Sequence, residues 1–244
     1  YKTQIIAYEK SITILDKNGK PVAGATQRSR VVRDGIVVDF MGAISIVRKL
    51  KESLEEKLGI EITEGYTAIP PGVEQGSVKA IVNVIESAGI DVLKVVDEPT
   101  AASYVLEITD GVVVDLGGGT TGISILEKGK VVFVADEPTG GTHMTLVLAG
   151  SYGVDFETAE DIKTDKKKEK EVFVQITPVL QKMASIVKKY IKNYKVKDVF
   201  LVGGACSFDG SEEIFKKELG LNIYKPYMPV YITPIGIALA GMRN

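Results

Sequence analysis

Apolar positions along this chain follow two rhythms. One is a short β-branched run closed by a Gly, Asn or Asp turn. The other is a longer stretch with apolar residues three and four apart and charge between them. Residues 11–15 give a strand, Asp16-Lys17-Asn18-Gly19-Lys20 a hairpin turn, and 21–25 the start of the return strand. Arg33-Asp34-Gly35 is a turn ahead of an apolar run to Phe40. A helix then begins near Met41, with Ile44, Val47, Leu50, Leu54 and Leu58 on one face and Gly59 as its stop. Residues 66–69 read as a buried strand stopped by Pro70-Pro71-Gly72. Residues 78–88 read as a second amphipathic helix ended by Gly89, and 92–96 as another strand. Pro99 suits the first turn of a helix, so Glu98 stands where that strand gives way to a helix, a common place for ligand contacts in α/β folds.

The plan then returns. Residues 111–126 read as strand, tight loop, strand, and Lys128-Gly129-Lys130 turns the chain into a third strand over 131–135. Gly140-Gly141 precedes the apolar 144–149. Helices are predicted over 156–164 and from about Glu169 to Tyr194, with the Lys-rich 163–170 as a solvated connection. A strand over 199–202 ends in Gly203-Gly204, 211–219 is a helix, and the small apolar residues 234–241 form a last one. Ile12-Thr13-Ile14-Leu15-Asp16-Lys17 matches Ile123-Ser124-Ile125-Leu126-Glu127-Lys128 position for position in chemical type. This predicts an α/β protein made by internal duplication, with halves at 1–108 and 109–244 and a ligand between them.

Composition narrows the chemistry. The 244 residues are 45% hydrophobic and 25% charged, as in an ordinary globular protein, and a net charge of −2 makes no electrostatic case for nucleic acid or an anionic membrane. One cysteine, Cys206, rules out an internal disulfide and fits a reducing cytoplasm. One histidine, His143, rules out a multi-histidine metal site, and no nucleophile-elbow pattern accompanies it. With no signal peptide and no apolar run near the length of a membrane span, secretion and membrane insertion are not expected.

The chemistry concentrates at Asp115-Leu116-Gly117-Gly118-Gly119-Thr120-Thr121-Gly122. Loop N–H groups and two hydroxyls in a side-chain-poor turn suit phosphate, and a hard divalent ion such as Mg²⁺ reconciles phosphate with Asp115. The bland alternative is a hairpin turn that simply needs glycines.

The residues together resemble the actin-like ATPase superfamily of actins, sugar kinases and heat-shock chaperones. The loop 115–122 resembles its second phosphate motif, Glu98-Pro99-Thr100-Ala101-Ala102 the chaperones' connecting segment, Leu201-Val202-Gly203-Gly204-Ala205 the adenosine motif, and 233–241 the second connecting helix. Residues 33–40, 136–143 and Ala159-Glu160-Asp161-Ile162-Lys163 are similar to a small chaperone-like branch of ethanolamine utilisation and bacterial microcompartment operons. The resemblance implies two ribonuclease-H-like halves, each a mixed sheet with flanking helices, around a nucleotide cleft.

It also implies a cytoplasmic protein that takes ATP or ADP with Mg²⁺ and has ethanolamine-degrading enzymes or microcompartment proteins as clients. Asp115 would hold Mg²⁺ through water. Gly117, Gly118, Gly119, Thr120 and Thr121 would wrap the β- and γ-phosphates, and Glu98 would order a metal-bound or attacking water. Gly140 and Gly141 would approach phosphate and ribose, Glu160 and Lys163 ribose and adenine, and Gly203 and Gly204 the adenosine face. Bland alternatives stand beside some of these: Glu98 as a helix-dipole charge, and Glu160 and Lys163 as an exposed i,i+3 pair; His143 is read as a surface or cleft residue without chemistry. The family's first phosphate motif, an Asp with Gly and Thr, has no counterpart among residues 1–10, which implies weak or absent hydrolysis. Two other functions compete. A small-molecule kinase would need Asp34 or Asp39 as its base, and an assembly scaffold would use the fold with vestigial nucleotide.

Overall fold

The computed structural model describes residues 2–6, 10–27, 29, 31–33 and 36–242. They form two compact units, 1–108 with 231–244, and 109–230. The first contains β1 (Lys2–Ile6), β2 (Lys10–Leu15), β3 (Pro21–Gln27), the short pair β4 (Val32–Arg33) and β5 (Ile36–Val37), α1 (Phe40–Leu58), β6 (Glu64–Ile69), α2 (Gln75–Ser87), β7 (Asp91–Asp97) and α3 (Glu98–Leu106). Its sheet runs β3-β2-β1-β6-β7, antiparallel across the first three strands and parallel across the last three.

The second unit contains β8 (Gly111–Leu116), β9 (Thr121–Glu127), β10 (Lys130–Glu137), α4 (Gly141–Tyr152), α5 (Phe156–Thr164), α6 (Glu169–Ile191), β11 (Asp198–Val202), α7 (Ser211–Leu219) and β12 (Asn222–Tyr224). Its sheet runs β10-β9-β8-β11-β12 with the same sequence of antiparallel and parallel pairings. The two sheets therefore repeat one topology. The two matched hexapeptides begin in its second strand each time and run into the turn after it, with Ile12, Ile14, Ile123 and Ile125 all turned into core.

Alternation explains the layers. In the first unit Ile12 and Ile14 face α1 and α2, where Ala43, Val47, Leu50 and Ile85 meet them. In the second, Val112, Val114, Ile123 and Ile125 face α4 to α7, packing with Met144, Leu148, Ile176 and Phe215. Helix α1 starts under the carboxylate of Asp39, which accepts the Gly42 N–H at 2.9 Å, and stops at the left-handed Gly59 (φ 64°). Helix α2 begins three residues earlier than its apolar pattern. Strands β1, β12 and the two-residue β4 escape periodicity altogether.

One boundary differs from contiguity in sequence. Helix α8 (Ile232–Ala240) packs in the first unit, where Ile237 joins Tyr66, Ala68 and Ala101 on the sheet face away from α1. Its approach to α3 is close: a Cβ on Gly236 would collide with the Ala101 carbonyl and stand 3.1 Å from the Ala102 nitrogen. Small residues at both surfaces permit it, so the last helix completes the first half.

Among the described residues no helix is long and apolar enough to cross a membrane.

Candidate functional site

In β8 the odd residue out is Asp115. Its neighbours Val114 and Leu116 point into the core, while Asp115 turns to the other face and is 6% exposed. Register sets Gly122 opposite it on β9, so no side chain meets the carboxylate from that strand, and Val202 is its partner on β11. The loop closes when the Gly117 N–H donates to the Thr120 carbonyl at 3.0 Å. The N–H groups of Gly118, Gly119 and Thr120 meet no acceptor among the described residues. Three neighbouring free donors beside a buried carboxylate form a small anion cradle with an acid at its edge.

The hydroxyls divide. Thr121 is fully buried and its Oγ1 donates to the Thr139 carbonyl at 2.6 Å, fastening the end of β10 to the loop. That proton is committed, so the side-chain donor left for a ligand is Thr120.

Helix α4 docks head-on against the loop. The Gly141 N–H donates to the Gly117 carbonyl at 2.9 Å and the Thr142 N–H to the Gly118 carbonyl at 2.5 Å. First-turn N–H groups lack partners inside their own helix, and here the loop supplies them. Gly140 allows the approach, because a Cβ there would lie 2.5 Å from the Gly119 carbonyl carbon and 2.6 Å from the Gly118 oxygen. His143 serves the fold, since its Nδ1 accepts the Gly140 N–H at 3.2 Å and caps the helix.

Beyond β11 the left-handed Gly203 (φ 89°) closes the other side. A Cβ there would collide with the Asp115 carboxylate and lie 2.5 Å from the Leu116 carbonyl oxygen. Its N–H donates to the Pro229 carbonyl at 3.1 Å and its own carbonyl accepts the Cys206 thiol at 3.2 Å. Burial, and then the charge of Asp115, push that thiol far above the ordinary cysteine range. Cys206 is a packing group here, with no nucleophilic role. Gly204 opens the short turn Gly204–Cys206.

Glu160 and Lys163 on α5 are not an exposed pair. Their side chains are 26% and 13% exposed and meet at 2.7 Å. Lys163 Nζ also donates to Thr145 Oγ1 at 2.7 Å and to the Gly141 carbonyl at 3.2 Å, and the Thr145 hydroxyl lies 2.6 Å from Glu160 Oε2. Thr145 was missed in the sequence. The signal available is its position one turn after Gly141, facing an acid and a base three residues apart.

The structure thus gathers Asp115, Gly117 to Thr121, Gly140, Gly141 and Gly203 in the second unit, with Glu160 and Lys163 braced on α4 behind them. Glu98 belongs to the first unit, half-buried in the first turn of α3, which Asp97 caps by accepting the Thr100 N–H at 2.9 Å. Of the two kinase-base candidates, Asp39 is the cap of α1 and Asp34 lies outside the described residues.

The opening hairpin departs from its twin. Ile5 pairs with Ile12 as Val114 pairs with Ile123, so Ile6, opposite Ser11, takes the strand position that Asp115 holds opposite Gly122. The rest of that turn, residues 7–9, lies outside the described residues.

Comparison with known proteins agrees with this architecture. A family model described as Hsp70 protein matches residues 39–183. The ethanolamine utilization protein EutJ of Escherichia coli (strain K12) is 42% identical over 232 residues, covering 95% of this chain and 82% of its own length. The crystal structure of EutJ from Carboxydothermus hydrogenoformans has a TM-score of 0.92 at 47% identity, over 98% of this chain and 89% of that one. A chain of a PilM-PilN type IV pilus biogenesis complex has a TM-score of 0.81 at 16% identity, over 100% and 98%, and shares the fold alone. With the repeated sheet and the glycine-lined loop, these similarities place the chain in the actin-like ATPase fold, and it belongs to the EutJ family, a chaperone-like ethanolamine utilisation branch of the Hsp70 group.

Proposed function

We propose that this chain is a nucleotide-responsive chaperone of ethanolamine utilisation that holds ADP or ATP with Mg²⁺ and hydrolyses ATP weakly or not at all. The observation that carries the reading is the cradle itself: free N–H groups at Gly118, Gly119 and Thr120, the buried Asp115 carboxylate, and glycines at 140 and 203 where a Cβ would collide with the loop or the acid. The residues fit the group. Oriented loop N–H donors match phosphate oxygens, and a carboxylate matches a hard cation. Among the described residues no cluster of three His, Cys, Asp or Glu offers a metal cage, so an ion held by Asp115 through water would take phosphate and water oxygens as its ligands.

In this reading Gly118, Gly119 and Thr120 bind phosphate, Asp115 orients the ion through water, and Gly203 and Gly204 flank the nucleoside. Glu98 orders the water. Bound Mg²⁺ would supply charge neutralisation at the phosphates. Weak turnover follows from the first hairpin, where Ile6 offers no carboxylate in the position of Asp115, since phosphoryl transfer rests on positioned donors and metal ligands. Nucleotide then acts by favouring one conformation over another, with enzymes of ethanolamine breakdown or microcompartment proteins as the clients that sense it.

Calorimetric titration with MgATP and MgADP tests this, comparing wild type with Asp115→Ala and Glu98→Ala. Binding that disappears with Asp115→Ala and persists with Glu98→Ala, which impairs only residual hydrolysis, is expected. Absence of binding to wild type, or binding indifferent to Asp115, overturns the reading.

A further inference from the structure

We infer that Thr145 is a positioning residue that couples the nucleoside side of the proposed nucleotide site to its phosphate loop. The inference rests on the nucleotide reading for its ligand and on the hydrogen-bond chain for its mechanism. Thr145 is fully buried, on the α4 face turned to α5. A threonine hydroxyl carries one proton and can accept others. Its Oγ1 lies 2.6 Å from Glu160 Oε2 and 3.1 Å from the Gly141 carbonyl, while Lys163 Nζ approaches from 2.7 Å with donors only. The arrangement that satisfies every group has Lys163 donating to Thr145 and Thr145 donating to Glu160. Lys163 spends its remaining protons on Glu160 at 2.7 Å and the Gly141 carbonyl at 3.2 Å.

The clasp grips the residue that grips the loop. Gly141 presents its carbonyl to Lys163 on one side and its N–H to the Gly117 carbonyl on the other, and Thr142 repeats the second contact at Gly118. Five links therefore run in series: α5 carboxylate and ammonium, Thr145 hydroxyl, Gly141 peptide, loop carbonyls, loop N–H groups. A ribose that engages Glu160 or Lys163 draws on the same protons that hold the first turn of α4. Events at the nucleoside thereby reach the phosphate donors without any side chain touching both. Valine at 145 keeps the shape and deletes the hydroxyl, leaving Glu160 and Lys163 short of a partner in a half-buried site. The loop then loses its brace, although the Thr145 hydroxyl bonds to Gly141, Glu160 and Lys163 and to no loop atom.

Three proteins test the coupling: wild type, Thr145→Val and Thr145→Ser. The ligands are MgADP and magnesium pyrophosphate, which has phosphates and no nucleoside, measured by calorimetry. Residue-resolved amide exchange by NMR is followed in parallel. With the hydroxyl removed, affinity for pyrophosphate falls about tenfold, a loss comparable to one hydrogen bond to a charged group. The amides of Gly141 and Thr142 exchange faster while those of β8 and β11 do not change, and Thr145→Ser restores both. A purely structural role would accelerate exchange throughout the unit. Equal pyrophosphate affinity and unchanged Gly141 and Thr142 exchange in Thr145→Val overturn the inference. If wild type binds neither ligand, the nucleotide reading fails, and local acceleration at Gly141 and Thr142 then decides whether the clasp exists. If Thr145→Val does not fold, Glu160→Gln, which keeps an acceptor for Thr145 and drops the ion pair, is put through the same two measurements, with a smaller loss in the same direction expected and no change counting against it.

Discussion

Gly203 occupies the space beside the Asp115 carboxylate so closely that a single added Cβ would collide with it. The same residue holds φ 89°, a conformation that L side chains rarely adopt. Gly203→Ala therefore meets two penalties, strain at its own backbone and displacement of the acid. The expected result is a destabilisation of roughly 1–3 kcal/mol in urea unfolding, with loss of Mg²⁺-dependent nucleotide binding.

The α3 and α8 contact gives a second prediction, independent of any ligand. Gly236→Ala forces a methyl against the Ala101 carbonyl, and helices packed backbone to backbone have no flexible side chain to yield. Overpacking of this kind costs about 1–3 kcal/mol. Thermal unfolding of the variant should report the loss. Because Gly236 is remote from the phosphate loop in sequence and belongs to the other unit, titration with magnesium pyrophosphate should give the wild-type affinity.

Acid should weaken the first unit partly through Glu55. Its Oε1 accepts Lys51 at 2.8 Å and the Ile62 N–H at 2.7 Å, and these bonds hold its carboxyl below the ordinary value of 4.5, against the opposing pull of burial. A carboxylate lowered on folding stabilises the native state above its unfolded value, and that contribution is lost as pH falls through its folded value. Glu55→Gln should be less stable than wild type near neutrality, and the gap should close on acidification below 4.5. A gap that stays constant with pH would show that the carboxylate charge plays no part.

Cys206 should be silent to thiol reagents in the folded protein. Burial and the neighbouring Asp115 charge both oppose the thiolate, which is the reactive form. A maleimide dye at mildly alkaline pH should label it at the rate of global unfolding, and urea should accelerate labelling in step with the unfolding transition.

Much of the fold was legible because its signals were local. Apolar spacing and a terminal glycine mark α1, and Gly117 to Gly122 mark a loop between two β-branched runs. The matched hexapeptides announce the duplication because both second strands must alternate in the same phase to reach their helices. Strand β1 carries no such announcement. Lys-Thr-Gln-Ile-Ile has polar residues in succession, and what makes it a strand is its partners on either side, β2 and β6. The placement of α8 was hidden for a similar reason, since an apolar helix of small residues fits several surfaces and only the recess at Ala101 selects one.

Within the site, residue types were legible and their commitments were not. The left-handed glycine beside Asp115 is Gly203, outside the loop, and the space reserved for the loop is at Gly140. The Thr121 hydroxyl points to Thr139, and the Glu160 and Lys163 pair points to Thr145 and Gly141. Spacing says that a donor is near a loop; which acceptor takes its proton is decided by rotamer and packing at distances of a few tenths of an ångström.

The chain order of the two units has a consequence for biosynthesis. Unit 2 is one uninterrupted stretch, 109–230, whereas unit 1 needs both the strands that precede unit 2 and a helix that follows it. On the ribosome, every strand of unit 2 is in hand before α8 exists. The first half meanwhile holds Tyr66, Ala68 and Ala101 without their cover. Unit 2 is thus free to close before unit 1, and the nascent chain carries an open apolar face until α8 docks on it.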